Sequence, residues 1–87
     1  MVILKQNRTN DDKVFRLVEN TYRDDSNQIF DIFTYEYAIQ VKVLFFWFTI
    51  KSYNYTFDVE MDINKVNSEI DYNKFLAEEY YEFIINN

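Results

Sequence analysis

Two stretches of the chain alternate between apolar and polar residues, which is the pattern of a β-strand with one buried face. In residues 35–43 and again in residues 53–63, apolar side chains occupy the odd-numbered positions. Residues 44–48 are apolar at every position, which is typical of a strand covered on both faces. The sequence therefore predicts two neighbouring strands, with the turn between them near Lys51 and Ser52.

The N-terminal part of the chain is less regular. Residues 2–5 predict a short strand, and the polar residues 7–12 predict a turn made by Asn and Asp. Residues 13–22 fit either a strand or a helix, because four of their apolar residues have the helical spacing i, i+3, i+4 and i+8: Val14, Leu17, Val18 and Tyr22. This spacing favours a short helix, followed by a loop over residues 23–27.

The C-terminal part carries the clearest helical pattern. Ser68 and Asp71 have the spacing of a capping box, with Asp in place of Glu. Apolar residues then recur every three or four positions, at Tyr72, Phe75, Leu76, Tyr80, Phe83 and Ile84. This stripe predicts an amphipathic helix, with Tyr81 on its polar side. We expect one α+β domain over residues 1–87: a small antiparallel sheet of three to four strands with the C-terminal helix packed on it.

Composition excludes most enzymatic chemistry. The 87 residues include no Gly, Pro, Cys or His. The chain therefore lacks thiolate and imidazole nucleophiles, disulfides, common zinc ligands and glycine-rich phosphate loops. We expect a non-enzymatic protein without cofactor or metal. Phe, Tyr and Trp make up 21% of the chain. A core of this size cannot hide them all, so some aromatic side chains should be exposed.

The formal net charge is −6, and residues 52–87 carry all of it. The predicted strand and helix would present carboxylates in two rows: Asp58, Glu60 and Asp62 on the strand, and Asp71, Glu78 and Glu82 on the helix. Two such rows could imitate the phosphates of a nucleic-acid strand. The alternative is a hydrated surface that keeps an aromatic-rich protein soluble. Carboxylates along a strand diverge, so the first row does not predict a metal site.

The aromatic block at residues 45–48, Phe-Phe-Trp-Phe, also has two interpretations. If exposed it would stack nucleobases, but that use normally comes with a basic groove, and this chain is acidic. Core packing is therefore favoured for the block. Tyr53, Tyr55 and Tyr81 are then the aromatic residues expected to contact a protein partner.

In its small size, acidity, lack of cysteine and preference for residues with AT-rich codons, the chain resembles small inhibitor proteins of phages and other viruses. Anti-CRISPR and anti-restriction nucleic-acid mimics are examples. The resemblance implies a non-enzymatic protein that occupies the basic nucleic-acid-binding surface of a host or defence protein, without binding nucleic acid or membrane itself. Since the sequence shows neither a secretion signal nor cysteine, we expect a cytoplasmic protein. The alternative is an interaction or assembly module, such as a homodimer or viral accessory protein, that uses exposed aromatic residues. Salt should weaken the first kind of binding much more than the second.

Overall fold

The computed structural model describes residues 1–24 and 31–86. Within these residues, four strands precede one helix: β1 (Val2–Arg8), β2 (Val14–Asp24), β3 (Ile32–Val43), β4 (Phe46–Asp58) and α1 (Ile63–Ile85). The strands form one antiparallel sheet in the order β1-β2-β3-β4, and α1 packs on one of its faces. The predicted α+β architecture is confirmed. No helix in the described part of the chain is long and apolar enough to cross a membrane.

The two faces of the sheet differ because successive side chains on a strand point in opposite directions. On the covered face, Leu17, Tyr37 and Ile39 pack against Ala77 and Tyr81 of α1 and form the centre of the core. The small side chain of Ala77 lets the helix approach the sheet closely. The other face, which we call the open face, carries mainly polar side chains that hydrogen-bond to one another.

Residues 13–22 belong mainly to strand β2, so the short helix predicted there is wrong. β2 pairs with β1 on one side and with β3 on the other, so its backbone groups are satisfied by two neighbouring strands. Phe15 and Leu17 contribute to the core of the covered face, whereas Val18 is buried on the open face. Apolar residues on both faces of a central strand produced the helix-like spacing by coincidence.

The first strand and turn follow the prediction in outline. β1 extends beyond the predicted strand to Arg8, and the chain then reverses before β2. Asp12 adopts a positive φ of 67° in this turn, a conformation that Asp tolerates better than most residues. Of the loop predicted over residues 23–27, the first two residues belong to β2. Residues 25–27 lie outside the described residues.

β3 and β4 are joined at Leu44 and Phe45, and not at the predicted position near residues 51–52. Leu44 has a positive φ of 59°, as the first loop residue of a type II′ turn requires, and Gly normally occupies that position. Because the chain reverses here, residues 44–48 do not form a doubly covered strand, and that prediction is wrong. The residues predicted to turn continue β4 instead, directly after a β-bulge at Ile50.

Helix α1 begins before the predicted cap and buries a different side. Asp62 is the N-cap residue, and its Oδ1 accepts a hydrogen bond from the N–H of Asn64 at 2.9 Å. The buried helix residues are Val66, Ala77 and Tyr81, whereas three residues of the predicted stripe are exposed: Tyr72, Phe75 and Phe83. The buried side is thus displaced from the predicted stripe by about one residue, or about 100° around the helix.

Candidate interaction surface

The two flanks of α1 differ in chemistry. The flank above β4, here called the aromatic flank, carries Tyr72, Leu76, Tyr80 and Phe83. The position of this flank above β4 is shown by Tyr80, whose ring centroid lies 5.8 Å from Nζ of Lys51 on β4. The flank above β1, here called the acidic flank, carries Asp71, Glu78 and Glu82. There Nζ of Lys5 donates a hydrogen bond to Oε1 of Glu82 at 2.9 Å. The aromatic flank and the acidic flank therefore face opposite edges of the sheet.

The β3–β4 hairpin exposes further apolar side chains on the β4 side. Phe45 exposes 89% of its surface, Phe46 65% and Phe48 52%. Leu44, at the turn, is also largely exposed. Core packing of the block at residues 45–48 was the favoured prediction, and it is wrong for these three phenylalanines. The reason is that the chain reverses inside the block instead of crossing the core.

Trp47, the remaining member of the block, is half-buried and points to the open face. The guanidinium carbon of Arg16 lies 4.0 Å from the centroid of its ring, within the range of a cation–π contact. Nε of the same Arg16 donates to Oε1 of Gln40 at 2.7 Å. Burial lowers the pKa of Arg16 from its usual value. One face of the indole is thus already covered by a cation of its own chain.

The exposed rings on this side of the molecule amount to a large surface. Tyr72 exposes 57% and Phe83 65% of their surfaces. Together with Phe45, Phe46 and Phe48 they offer about 650 Å², at about 200 Å² per aromatic side chain. A standard protein interface takes about 800 Å² from each partner. We call these five residues the aromatic side; it is large enough to form the centre of a stable interface.

The acidic row predicted on β4 does not form. Asp58 is the last residue of the strand, and its Oδ1 accepts a hydrogen bond from the N–H of Glu60 at 2.9 Å within the following turn. Asp62 caps α1, as described above. The prediction that these three carboxylates share one strand face is therefore wrong, because short polar side chains at a chain reversal bond to the local backbone. On the helix, by contrast, the acidic flank gathers its three carboxylates on one side, as expected.

Tyr53 and Tyr55, two of the three predicted contact residues, are half-buried on the covered face. Nζ of Lys51 lies 5.4 Å from the ring centroid of Tyr53. The ring of Tyr55 stacks on Phe57 with the centroids 6.0 Å apart. Each ring therefore already has a partner on its own strand, and neither is among the largely exposed aromatic residues.

Tyr81, the third predicted contact residue, is fully buried, with 0% of its surface exposed. Its hydroxyl donates a hydrogen bond to Oδ1 of Asn7 at 2.6 Å and lies 3.3 Å from the carbonyl oxygen of Phe15. Burial raises the pKa of Tyr81, and the nearby Glu82 raises it further. The prediction that Tyr81 is an exposed contact residue is wrong. A tyrosine can enter a core when its hydroxyl finds a partner there, as this one does.

The open face holds one carboxylate that is strongly engaged. Glu36 accepts hydrogen bonds from Nδ2 of Asn20 at 2.9 Å, the hydroxyl of Tyr22 at 3.0 Å and Oγ of Ser52 at 2.9 Å. Burial alone would raise the pKa of Glu36, but these three bonds outweigh it and hold the pKa below its usual value. Glu36 therefore ties three strands together as a charged group. Among the described residues, no group of three or more carboxylates is arranged to hold a metal ion.

Sequence reasoning missed the aromatic side, although one signal pointed to it. The excess of aromatic residues over what a small core can bury predicted exposed rings, without showing which ones. Searches against protein-family models, curated proteins and solved structures gave no match to this chain.

Proposed function

We propose that this protein is a non-enzymatic assembly module that associates with a second copy of itself through the aromatic side. The observation that carries the proposal is the exposure of five aromatic residues on one side of a small domain. Their combined area of about 650 Å² is most of the about 800 Å² that a standard interface takes from each partner. Covering such a patch in a dimer removes apolar surface from water, at about 25 cal/mol per Å².

The distribution of charge supports a second copy as the partner. Two chains of net charge −6 repel each other. However, residues 37–57, which include the hairpin, contain Lys42 and Lys51 and no carboxylate. The acidic flank lies over the opposite edge of the sheet, where Lys5 engages Glu82. Two copies can therefore bring their aromatic sides together while most of their carboxylates remain far apart and hydrated.

Sedimentation velocity over a range of protein concentrations tests this proposal. Phe45→Ser should raise the dimer dissociation constant at least about 10-fold, since truncating an aromatic residue that the interface buries costs more than about 1 kcal/mol. The matched control is Ile3→Ser on β1, which removes a side chain of 48% exposure from the opposite edge. It should change the dissociation constant less than about 2-fold, or under about 0.5 kcal/mol. A wild-type chain that stays monomeric at high concentration, or equal effects of the two variants, would contradict the proposal.

A second candidate function rests on the acidic flank. Its carboxylates share one side of α1, and among the described residues only Glu82 of the three forms an ion pair. We propose as the alternative that this flank occupies a basic groove that otherwise holds nucleic-acid phosphates, as a host or defence protein would present. The carboxylates of Asp58 and Asp62 bond to local backbone groups and contribute to such binding only through their charge.

Binding of an oligolysine peptide at low salt tests the acidic flank. Asp71→Asn combined with Glu78→Gln should weaken binding several-fold, and the loss should shrink as salt is added. The matched control, Asp11→Asn with Asp12→Asn, removes the same charge from the β1–β2 turn at the far end of β1. If the two double variants bind the peptide equally, only the total charge matters and the acidic flank is not a specific site.

A further inference from the structure

The outer edge of β4 offers unpaired backbone groups in a regular array. In the two-residue hairpin, Val43 and Phe46 flank the loop and occupy a hydrogen-bonded pair. Bonded and non-bonded pairs alternate along an antiparallel ladder, and the bulge at Ile50 shifts this alternation by one residue. The residues whose backbone groups point away from β3 are therefore Trp47, Thr49, Ser52, Asn54, Thr56 and Asp58. The carbonyl oxygen of Asp58 already accepts a hydrogen bond from the N–H of Met61 at 3.4 Å, so only the first five residues offer both of their backbone groups.

The two edges of the sheet are protected to different degrees. β1 has 7 residues, is interrupted by a bulge between Ile3 and Lys5, and carries Lys5 and Arg8. Short length, bulges and lysines are the usual devices that prevent an edge strand from pairing. β4 has 13 residues, and Lys51 and Asp58 are its only charged ones. Only β4 therefore has the length and composition of an edge that pairs with another strand.

We propose that two copies of the chain pair antiparallel along β4, across a two-fold axis, and form one continuous eight-stranded sheet. This inference rests on the proposed assembly function and states its geometry. A two-fold axis perpendicular to the sheet leaves both helices on the same face. The aromatic flanks then line the two sides of the seam, because each lies above its own β4. The acidic flanks lie above β1, at the two outer ends of the assembly.

The positions of the outward-facing groups select one register. With the bulged pair Ile50 and Lys51 counted as one position, the five residues that offer both backbone groups are evenly spaced and symmetric about Ser52. Pairing centred on Ser52 uses all five groups of both copies, and a shift in either direction leaves some unpaired. In this register Ser52 lies opposite its own symmetry mate, and Asn54 lies opposite Thr49 of the other copy.

The same register matches the side chains on the covered face. Phe57 of one copy lies opposite Phe46 of the other, and Tyr55 lies opposite Phe48. Aromatic pairs directly across an antiparallel ladder are among the most favourable cross-strand contacts. The turn at Phe45 then reaches the other copy's β4–α1 connection, where Val59 is exposed. Backbone pairing and apolar contact thus favour the same alignment.

Cysteine cross-linking tests the register, since the natural chain contains no cysteine. Ser52→Cys places one thiol on the axis, where two copies would hold the pair within about 5.5 Å between Cα atoms, a distance that suits a disulfide. The matched control is Asn54→Cys, whose thiols would lie about 13 Å apart across the seam. After oxidation with diamide, Ser52→Cys should run as a covalent dimer on a non-reducing gel, and Asn54→Cys should stay monomeric.

Ser52 also donates a hydrogen bond to Glu36, and Ser52→Cys removes it. A second variant that keeps Ser52 therefore tests the same register independently. Combining Thr49→Cys with Asn54→Cys should give the same covalent dimer, whereas each single change should not. If wild type and variants sediment as dimers but neither Ser52→Cys nor the double variant cross-links, the β4 register is wrong and the assembly function stands. If all of them sediment as monomers, both proposals fail.

Discussion

The buried hydroxyl of Tyr81 offers the sharpest test of the core. Tyr81→Phe removes only the oxygen atom, which donates to Asn7 at 2.6 Å and lies 3.3 Å from the Phe15 carbonyl. The ring stays in place, so no large cavity is created. We expect a loss of stability that comes from the hydrogen bond alone. Tyr72→Phe on the same helix is the matched control, because Tyr72 is exposed.

The size of the expected stability loss follows from the burial of the Tyr81 hydroxyl. A buried hydrogen bond contributes about 1–1.5 kcal/mol net to stability. For a domain of this size, 1 kcal/mol corresponds to about 4–8 °C in melting temperature. Tyr81→Phe should therefore lower the melting temperature by about 5–10 °C. The exposed control should change stability by less than about 0.5 kcal/mol.

Thermal and urea unfolding, followed by circular dichroism, measure both variants. All samples need the same protein concentration, because association stabilises the folded state by mass action. The slope of the urea transition should be unchanged, since the two variants expose the same surface on unfolding. Equal stabilities of Tyr81→Phe and Tyr72→Phe would refute the assignment of Tyr81 to the core and, with it, the orientation of α1.

Four further predictions concern pH, the helix, the hairpin and salt. Burial raises the pKa of Tyr37 and Tyr81 above the usual value near 10. The folded state therefore holds these protons more tightly, and stability in urea titrations should fall as the pH rises through 10. Phe83→Ala should cost under about 1 kcal/mol of unfolding free energy, because the ring is exposed. It should still weaken the dimer in sedimentation. Leu44→Gly should raise the urea midpoint and stabilise the fold by up to about 1 kcal/mol, because Leu44 has a positive φ. Added salt should strengthen the dimer by screening the net charge of −6 on each copy.

The fold class could be predicted from the sequence, whereas two element positions could not. Period-2 alternation located β3 and β4, because each has one covered face and one open face. β2 is a central strand with buried residues on both faces. Its apolar and polar residues therefore do not alternate, and its sequence was mistaken for that of a helix. The hairpin turn at Leu44 carries none of the residues that mark a turn, because the chain has no Gly or Pro.

The sequence predicted a contact surface of carboxylates and exposed aromatic residues, but several of the residues named for it lie elsewhere in the structure. The acidic row failed because Asp58 and Asp62 bond to backbone groups in the turn and at the helix cap. Such bonds to the local backbone occur where a strand ends, and they cannot be recognised from the spacing of charged residues alone. The three carboxylates of the acidic flank do share one side of α1, since i, i+7 and i+11 spacing on a long helix determines which side the residues share.

One physical cause explains the errors about the aromatic residues. When a chain has more large apolar residues than its core can bury, hydrophobicity no longer decides which of them are buried. The choice then depends on fit: Ala77 allows close contact with the sheet, and next to it only Tyr81 brings a hydroxyl that finds an acceptor in Asn7. Phe83 has no polar group that needs a hydrogen-bond partner. Its exposure to water costs little free energy if a second copy covers the surface on which it lies. The aromatic residues that the core leaves out are therefore where an interface should be sought, and five of the exposed ones form the aromatic side next to β4.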